Sequence, residues 1–129
     1  MTEQKQIDPR MVDLQAKALS TGGLFFGNLM IGDVVEITTL NSVYKVEILS
    51  SVSEPRRRVR MQKKSTKSND HRFENPMIFM TRGTYCDSPL FSGWIFLNCA
   101  FYLEYLGGKF HPMCLSNTKS VSVNGVRIL

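Results

Sequence analysis

The stretch DVVEITTLNSVYKVEILSS, residues 33–51, constrains the fold more than any other part of this chain. Val35, Ile37 and Thr39 alternate with Val34, Glu36 and Thr38. After Leu40-Asn41-Ser42, Tyr44, Val46 and Ile48 alternate with Lys45 and Glu47. A period of two puts one set of side chains on each face of a pleated strand, so each run predicts a half-buried strand. Asn41 and Ser42 can bond nearby backbone amides and suit the turn between them. The stretch predicts an antiparallel hairpin.

Further short β signals follow. In the run beginning at Arg56, RRRVRMQ, Arg58, Arg60 and Gln62 alternate with Val59 and Met61, which predicts a strand with an arginine-bearing outer face. Met77, Phe79 and Thr81 predict another. WIFLNCAFYLEYL is strongly β, with Phe101, Leu103 and Tyr105 on one face, and Gly107-Gly108 suits a two-residue hairpin turn. Val121 and Val123 alternate before Asn124-Gly125, a turn pair. Ahead of all this, DPRMVDLQAKALSTGG predicts a short helix. Asp8 caps it, Pro9 suits the first position, and Gly22 or Gly23 ends it. Met11, Leu14, Ala18 and Leu19 are expected on its buried face. Leu24, Phe25 and Phe26 are expected to anchor the helix to the core; if exposed, they would mark a partner or lipid surface.

The fold expected is therefore mainly β: a small antiparallel barrel or sandwich with one short N-terminal helix. A chain of 129 residues fits a single domain, 1–129, with residues 1–7 frayed. No apolar run approaches the length of a membrane span. The polar start MTEQKQIDPR lacks the pattern of a secretory signal, and Cys86, Cys99 and Cys114 are an odd set among apolar neighbours. These point to a cytoplasmic protein with reduced, mostly buried thiols.

Charge is unevenly spread. The chain carries a formal +5, yet 55–72 alone carries +7 and the remainder −2. The anion-binding candidates are Arg56, Arg57, Arg58, Arg60, Lys63, Lys64 and Lys67, because cations displace condensed counterions from phosphates. Phe73 and Trp94 are the stacking candidates for an unpaired base or another ring. Residues 63–76, KKSTKSNDHRFENP, are read as a basic loop. Against this stands a plainer role: arginines on an edge strand discourage edge-to-edge pairing. A cyclic-dinucleotide receptor of the PilZ type needs Arg-x-x-x-Arg and then an Asp/Asn-x-Ser-x-x-Gly turn. Arg56 and Arg60 have the first spacing, but Asp87 and Gly93 are one residue too far apart, with Pro89 in the serine position.

No constellation for chemistry stands out. Cys86, Cys99, His111 and Cys114 lack the paired short spacings of a structural zinc site. Cys86 with His71 or His111 and Asp87 has no recognisable catalytic spacing, and no phosphate loop is present. No cofactor and no enzymatic activity are expected.

Three pieces, GDVVEITTLNSVYKVEIL, SGWI…LEY and KSVSVNG, together resemble small uncharacterised bacterial β-domain proteins. In those a TxNSxY strand pair precedes a Gly-Trp-Ile segment and a C-terminal Ser-Val-x-Val strand. The resemblance implies a small β domain of unknown activity. The basic loop departs from that pattern, where a shorter glycine-containing turn is expected. The sequence thus reads as a small non-enzymatic binding or adaptor module. Nucleic-acid or nucleotide binding through 56–67 is the alternative, and homo-oligomerisation through an apolar surface is a third reading.

Overall fold

The computed structural model describes residues 8–50, 57–67, 73–84, 93–106 and 112–129. The helix, α1 (Pro9–Thr21), forms where its caps place it. The Asp8 carboxylate accepts from the Arg10 amide at 2.9 Å, and Pro9 sits in the first turn. Gly22 ends the helix at φ 80°, a left-handed conformation open to glycine, and donates to the Ala18 carbonyl at 2.7 Å. Met11, Leu14 and Ala18 are buried as expected. Leu19 is not: it is 89% exposed. At about 100° per residue it stands a fifth of a helical turn or more beyond the buried stripe.

Among the described residues ten strands follow: β1 (Gly23–Phe25), β2 (Val34–Thr39), β3 (Ser42–Ile48), β4 (Arg58–Thr66), β5 (Met77–Thr84), β6 (Trp94–Phe96), β7 (Phe101–Tyr105), β8 (Pro112–Leu115), β9 (Thr118–Val123) and β10 (Val126–Arg127). Eight form one antiparallel sheet in the order β10-β9-β2-β3-β4-β5-β7-β8. The other two, β1 and β6, make a separate two-stranded antiparallel sheet. The fold is the mainly-β class with one N-terminal helix that the sequence predicts, and the larger sheet is open, as in a sandwich. It curls far enough that Thr118, at the start of β9, exchanges backbone hydrogen bonds with Asn98 and Cys99, at 2.8 and 3.0 Å.

The expected alternation holds in β2, β3, β7 and β9, whose inward residues meet in one core with Met11, Leu14, Phe26 and Phe79. The Asn124-Gly125 turn has φ of 50° and 82°, joining β9 to β10. Two expectations need correction. The run from Trp94 is not one strand: it breaks at Leu97–Ala100, where Asn98 takes φ 62°. And β4 continues through Lys63 and Lys64 to Thr66, past the point where the basic loop was expected to begin. The Gly107-Gly108 turn lies outside the described residues. Among the described residues no helix is long and apolar enough to cross a membrane.

Candidate functional site

The basic segment was the first place to look, and the structure distributes it over three environments. Arg57 is 1% exposed. Its guanidinium donates to the carbonyls of Phe26 at 2.7 Å, Leu29 at 2.6 Å and Ser50 at 2.7 Å. Its backbone is held by Thr81, whose hydroxyl accepts from the Arg57 amide and whose amide donates to the Arg57 carbonyl. Arg57 therefore ties the turn after β1 to the larger sheet from inside, and is withdrawn from any external anion. Lys63 is also turned inward, 6% exposed, with its ammonium 5.8 Å from the centre of the Tyr44 ring.

The outward cations meet carboxylates. Arg60 pairs with Glu47 at 3.0 Å, its cross-strand neighbour on β3. Lys64 reaches Glu36 on β2, also at 3.0 Å. The ladder shifts register between Val43 and Tyr44, so Lys64 is the extra residue of a bulge. Alternation already turns Lys63 in and Lys64 out, and the bulge leaves Ser65 exposed as well, next to Lys64. Arg58 and Lys67 are exposed. Arg56 lies outside the described residues. The candidates thus do not converge on one anion site: two are buried and two are paired across strands.

The signal for the buried pair was in the sequence. The parity that puts Val59 and Met61 inside also puts Arg57 and Lys63 inside. Charge composition hides it, because seven cations read as one surface.

The stacking candidates also separate. Phe73 is half-buried, edge-on to Phe79 at 5.6 Å, and Phe79 in turn packs on Tyr105 at 5.6 Å. Its ring extends the core. Trp94 belongs to a different arrangement. In the β1–β6 ribbon Leu24 pairs with Ile95, and both are buried. By the same alternation Phe25, Trp94 and Phe96 stand on the opposite face, and all three are partly exposed. Phe25 and Trp94 are cross-strand partners with ring centres 5.2 Å apart. Trp94 and Phe96 lie nearly parallel, 11° between planes and 5.6 Å between centres.

Glycines make room for this row. A Cβ on Gly23 would sit 2.5 Å from the Phe96 ring, and one on Gly27 2.2 Å from the Phe25 ring. The rings lie against bare backbone, as aromatics do across a strand glycine. Among the described residues no acceptor is bonded to the Trp94 indole N–H.

The sequence on either side of each ribbon strand is uncharged, although β5 with Arg82 lies alongside β6, where the Gly93 amide donates to the Arg82 carbonyl at 2.8 Å. Residues 18–32 and 93–103 contain no Asp, Glu, Lys, Arg or His. They also hold several exposed large apolar side chains: Leu19, Met30 at 52%, Ile31 at 63% and Leu97 at 36%. Leu24 and Phe26 are buried, as the anchoring expectation has it; of that run only Phe25 is partly exposed, beside Trp94.

One polar cluster braces α1 against the sheet. Asp33, 5% exposed, accepts from both terminal nitrogens of Arg10, from the Met30 amide at 2.8 Å and from the Asn124 side-chain amide at 3.0 Å. Burial pushes the Asp33 carboxyl up. The hydrogen bonds from Arg10, Met30 and Asn124 and the Arg10 charge outweigh this and hold it below its ordinary 3.8. The Asp33 hydrogen bond raises Arg10 in turn. All the acceptor capacity is used within the fold, so the cluster reads as a clasp. Cys99 is half-buried and Cys114 is exposed, so the thiols are not mostly buried as expected; Cys86 lies outside the described residues.

Compared with known protein families, curated proteins and solved structures, the chain matches none.

Proposed function

We propose that this protein is a small non-catalytic β-domain binding module whose contact surface is the aromatic row Phe25–Trp94–Phe96. The observation that carries the reading is the row itself: three partly exposed rings in mutual contact on one face, Trp94 stacked on Phe96 and tilted against Phe25, with Phe25 and Phe96 seated on glycines. Large rigid rings give much contact area at little cost in side-chain entropy. Because their neighbours already hold them in place, a ligand would not have to order them. The three rings touch one another, so they form a contiguous apolar patch and not isolated exposed side chains.

Anion binding through the basic segment has less support. Its outward charges form a cross-strand ladder with Glu36 and Glu47, leaving Arg58 and Lys67 as the segment's exposed cations without an acidic partner among the described residues. Trp94 is the chain's single tryptophan, so its emission reports on the proposed surface directly. The test is a fluorescence titration with three ligand classes: a proline-rich peptide, a neutral β-linked oligosaccharide and a single-stranded oligonucleotide. A saturable change in Trp94 emission with any class supports the reading. No change with all three, at millimolar ligand, would overturn it.

A further inference from the structure

We infer that Asn124 is a deamidation site guarded by the Asp33 clasp, and that its conversion to a carboxylate loosens helix α1 in one direction only.

Asn124-Gly125 is the one Asn-Gly pair in the chain. Gly125 is exposed, sits at φ 82°, and has nothing within 4 Å of where a Cβ would stand. Its amide donates to no acceptor among the described residues. The nitrogen beside the Asn124 side chain is therefore open and unshielded. Asn124 itself is held. Its Oδ1 accepts from the Val34 amide at 2.9 Å, its Nδ2 donates to Asp33 at 3.0 Å, and its own amide donates to the Val34 carbonyl at 2.8 Å.

The chemistry needs only solvent water. The Gly125 nitrogen gives up its proton and attacks Cγ of Asn124. The N–Cγ bond forms, the Cγ–Nδ2 bond breaks, and Nδ2 leaves as ammonia, taking up a proton from solvent. Water then opens the five-membered imide. Addition at Cγ restores the chain with an aspartyl residue. Addition at the backbone carbonyl carbon routes the chain through Cγ and gives an isoaspartyl residue. While Asn124 is tied to Val34 and Asp33, its Cγ is not free to turn toward Gly125. The ties must open before the reaction proceeds.

Afterwards they do not close as before. The donor to Asp33 is gone, and a second carboxylate stands at hydrogen-bond distance from a carboxylate that is 5% exposed. Like charges that close disfavour each other's ionised form. The β2–β9 ladder, with Val35 opposite Val123, keeps position 124 beside Asp33. Asp33 is also where Arg10 of α1 is bound, so the repulsion falls on the contact that braces the helix.

The test incubates the intact protein and the free peptide Ser-Val-Asn-Gly-Val at mildly alkaline pH. Peptide mass mapping follows position 124, and a methyltransferase assay detects the isoaspartyl form. Product is expected at Asn124, forming about tenfold more slowly than in the peptide, because two hydrogen bonds must break first. Asp33→Ala removes one tie and should speed the reaction about fivefold. Leu103→Ala, which weakens the core on β7, should speed it less. Asn124→Asp reproduces the product, and hydrogen exchange of the Leu14–Ala18 amides should quicken about tenfold over the parent. Asn124→Gly loses both ties without adding a charge and should show a smaller effect. Circular dichroism checks that each variant folds. No product at Asn124 while the peptide converts overturns the site. Equal rates in protein and peptide, or equal acceleration by Leu103→Ala and Asp33→Ala, overturn the guard. Helix exchange in Asn124→Asp no faster than in the parent or in Asn124→Gly overturns the loosening. If Asp33→Ala does not fold, the protein-to-peptide ratio and the Asn124→Asp exchange decide.

Discussion

The outer face of β2–β4 and the outer face of the β1–β6 ribbon are two solutions to the same problem: what to put on the solvent side of a strand. On β2–β4 the answer is charge of both signs. Glu36, Lys45, Glu47, Arg58, Arg60 and Lys64 stand out, and two of the cations find carboxylates across the sheet. On the ribbon the answer is three aromatic rings over glycine, without a charge in either strand or its near flanks. The first face is well hydrated and discourages association. The second leaves apolar area in contact with water, and a fold retains that more readily where something covers it. Cationic content, the most visible property of the sequence, is therefore a poor guide to which strand faces leave apolar area exposed.

The difference can be broken at its strongest point first. Arg57 joins the two regions, bonding carbonyls of the segment after β1 from a position just before β4. Arg57→Ala removes the donor and leaves three buried carbonyls behind, an expected loss on the order of 3–5 kcal/mol. Urea unfolding measures it; a loss below about 1 kcal/mol would show that water replaces the guanidinium at little cost. Arg57→Lys should recover only part, because a point donor cannot span carbonyls that the planar fork reaches from two nitrogens.

Next comes the glycine bed. Gly23→Ala must displace the Phe96 ring, at about 1–3 kcal/mol for overpacking. It should also move Trp94 emission, since Trp94 stacks on Phe96. Unchanged emission together with unchanged stability would mean that the ring is not seated as described.

The clasp is smaller. Asp33 has its carboxyl lowered by folding, so its contribution is fully present above the ordinary value of 3.8 and is lost as pH falls through the still lower folded value. Asp33→Asn should cost about 1–2 kcal/mol near neutral pH, the Arg10 side being partly exposed and screened. It should also flatten the acid limb of a stability–pH curve measured below about pH 4. An acid limb identical to that of the parent would remove Asp33 from the account.

The charge ladder should matter least. Double-mutant cycles on Arg60 with Glu47 and on Lys64 with Glu36 are expected to give about 0.2–1 kcal/mol each, falling with added salt. A coupling above about 2 kcal/mol would mean that the outer face is a stabilising network and not only a solvated one.

Local rules made much of the fold readable. Asp8, Pro9 and Gly22 mark α1 through backbone geometry that acts within a turn of the chain. The alternation in β2 and β3 is local too, and so is the Asn124-Gly125 turn. The β1–β6 ribbon was not readable as a pairing. Each strand has three residues, and Gly23 meets Phe96 only because the rest of the sheet brings them together. Arg57 and Lys63 sit where period-two parity places them, but a run of cations suggests a surface more strongly than parity suggests an interior. Trp94 was legible as a stacking residue. Its partners Phe25 and Phe96 were not, because what exposes them is the burial of Leu24 and Ile95 between them.

The sheet order also bears on how the chain is made. β2 pairs on one side with β3, its immediate successor, and on the other with β9, where Thr39 meets Thr118. On a ribosome adding about 5–20 residues per second, that second edge of β2 stays open for several seconds after the first has closed. An open edge is a template for the wrong strand, including the same strand of a neighbouring nascent chain. Val34, Glu36 and Thr38 on one face and Val35, Ile37 and Thr39 on the other wait in that state until the C-terminal hairpin arrives. Once made, β9 closes that edge, so the edge of β2 is protected only after Thr118–Val123 have been added.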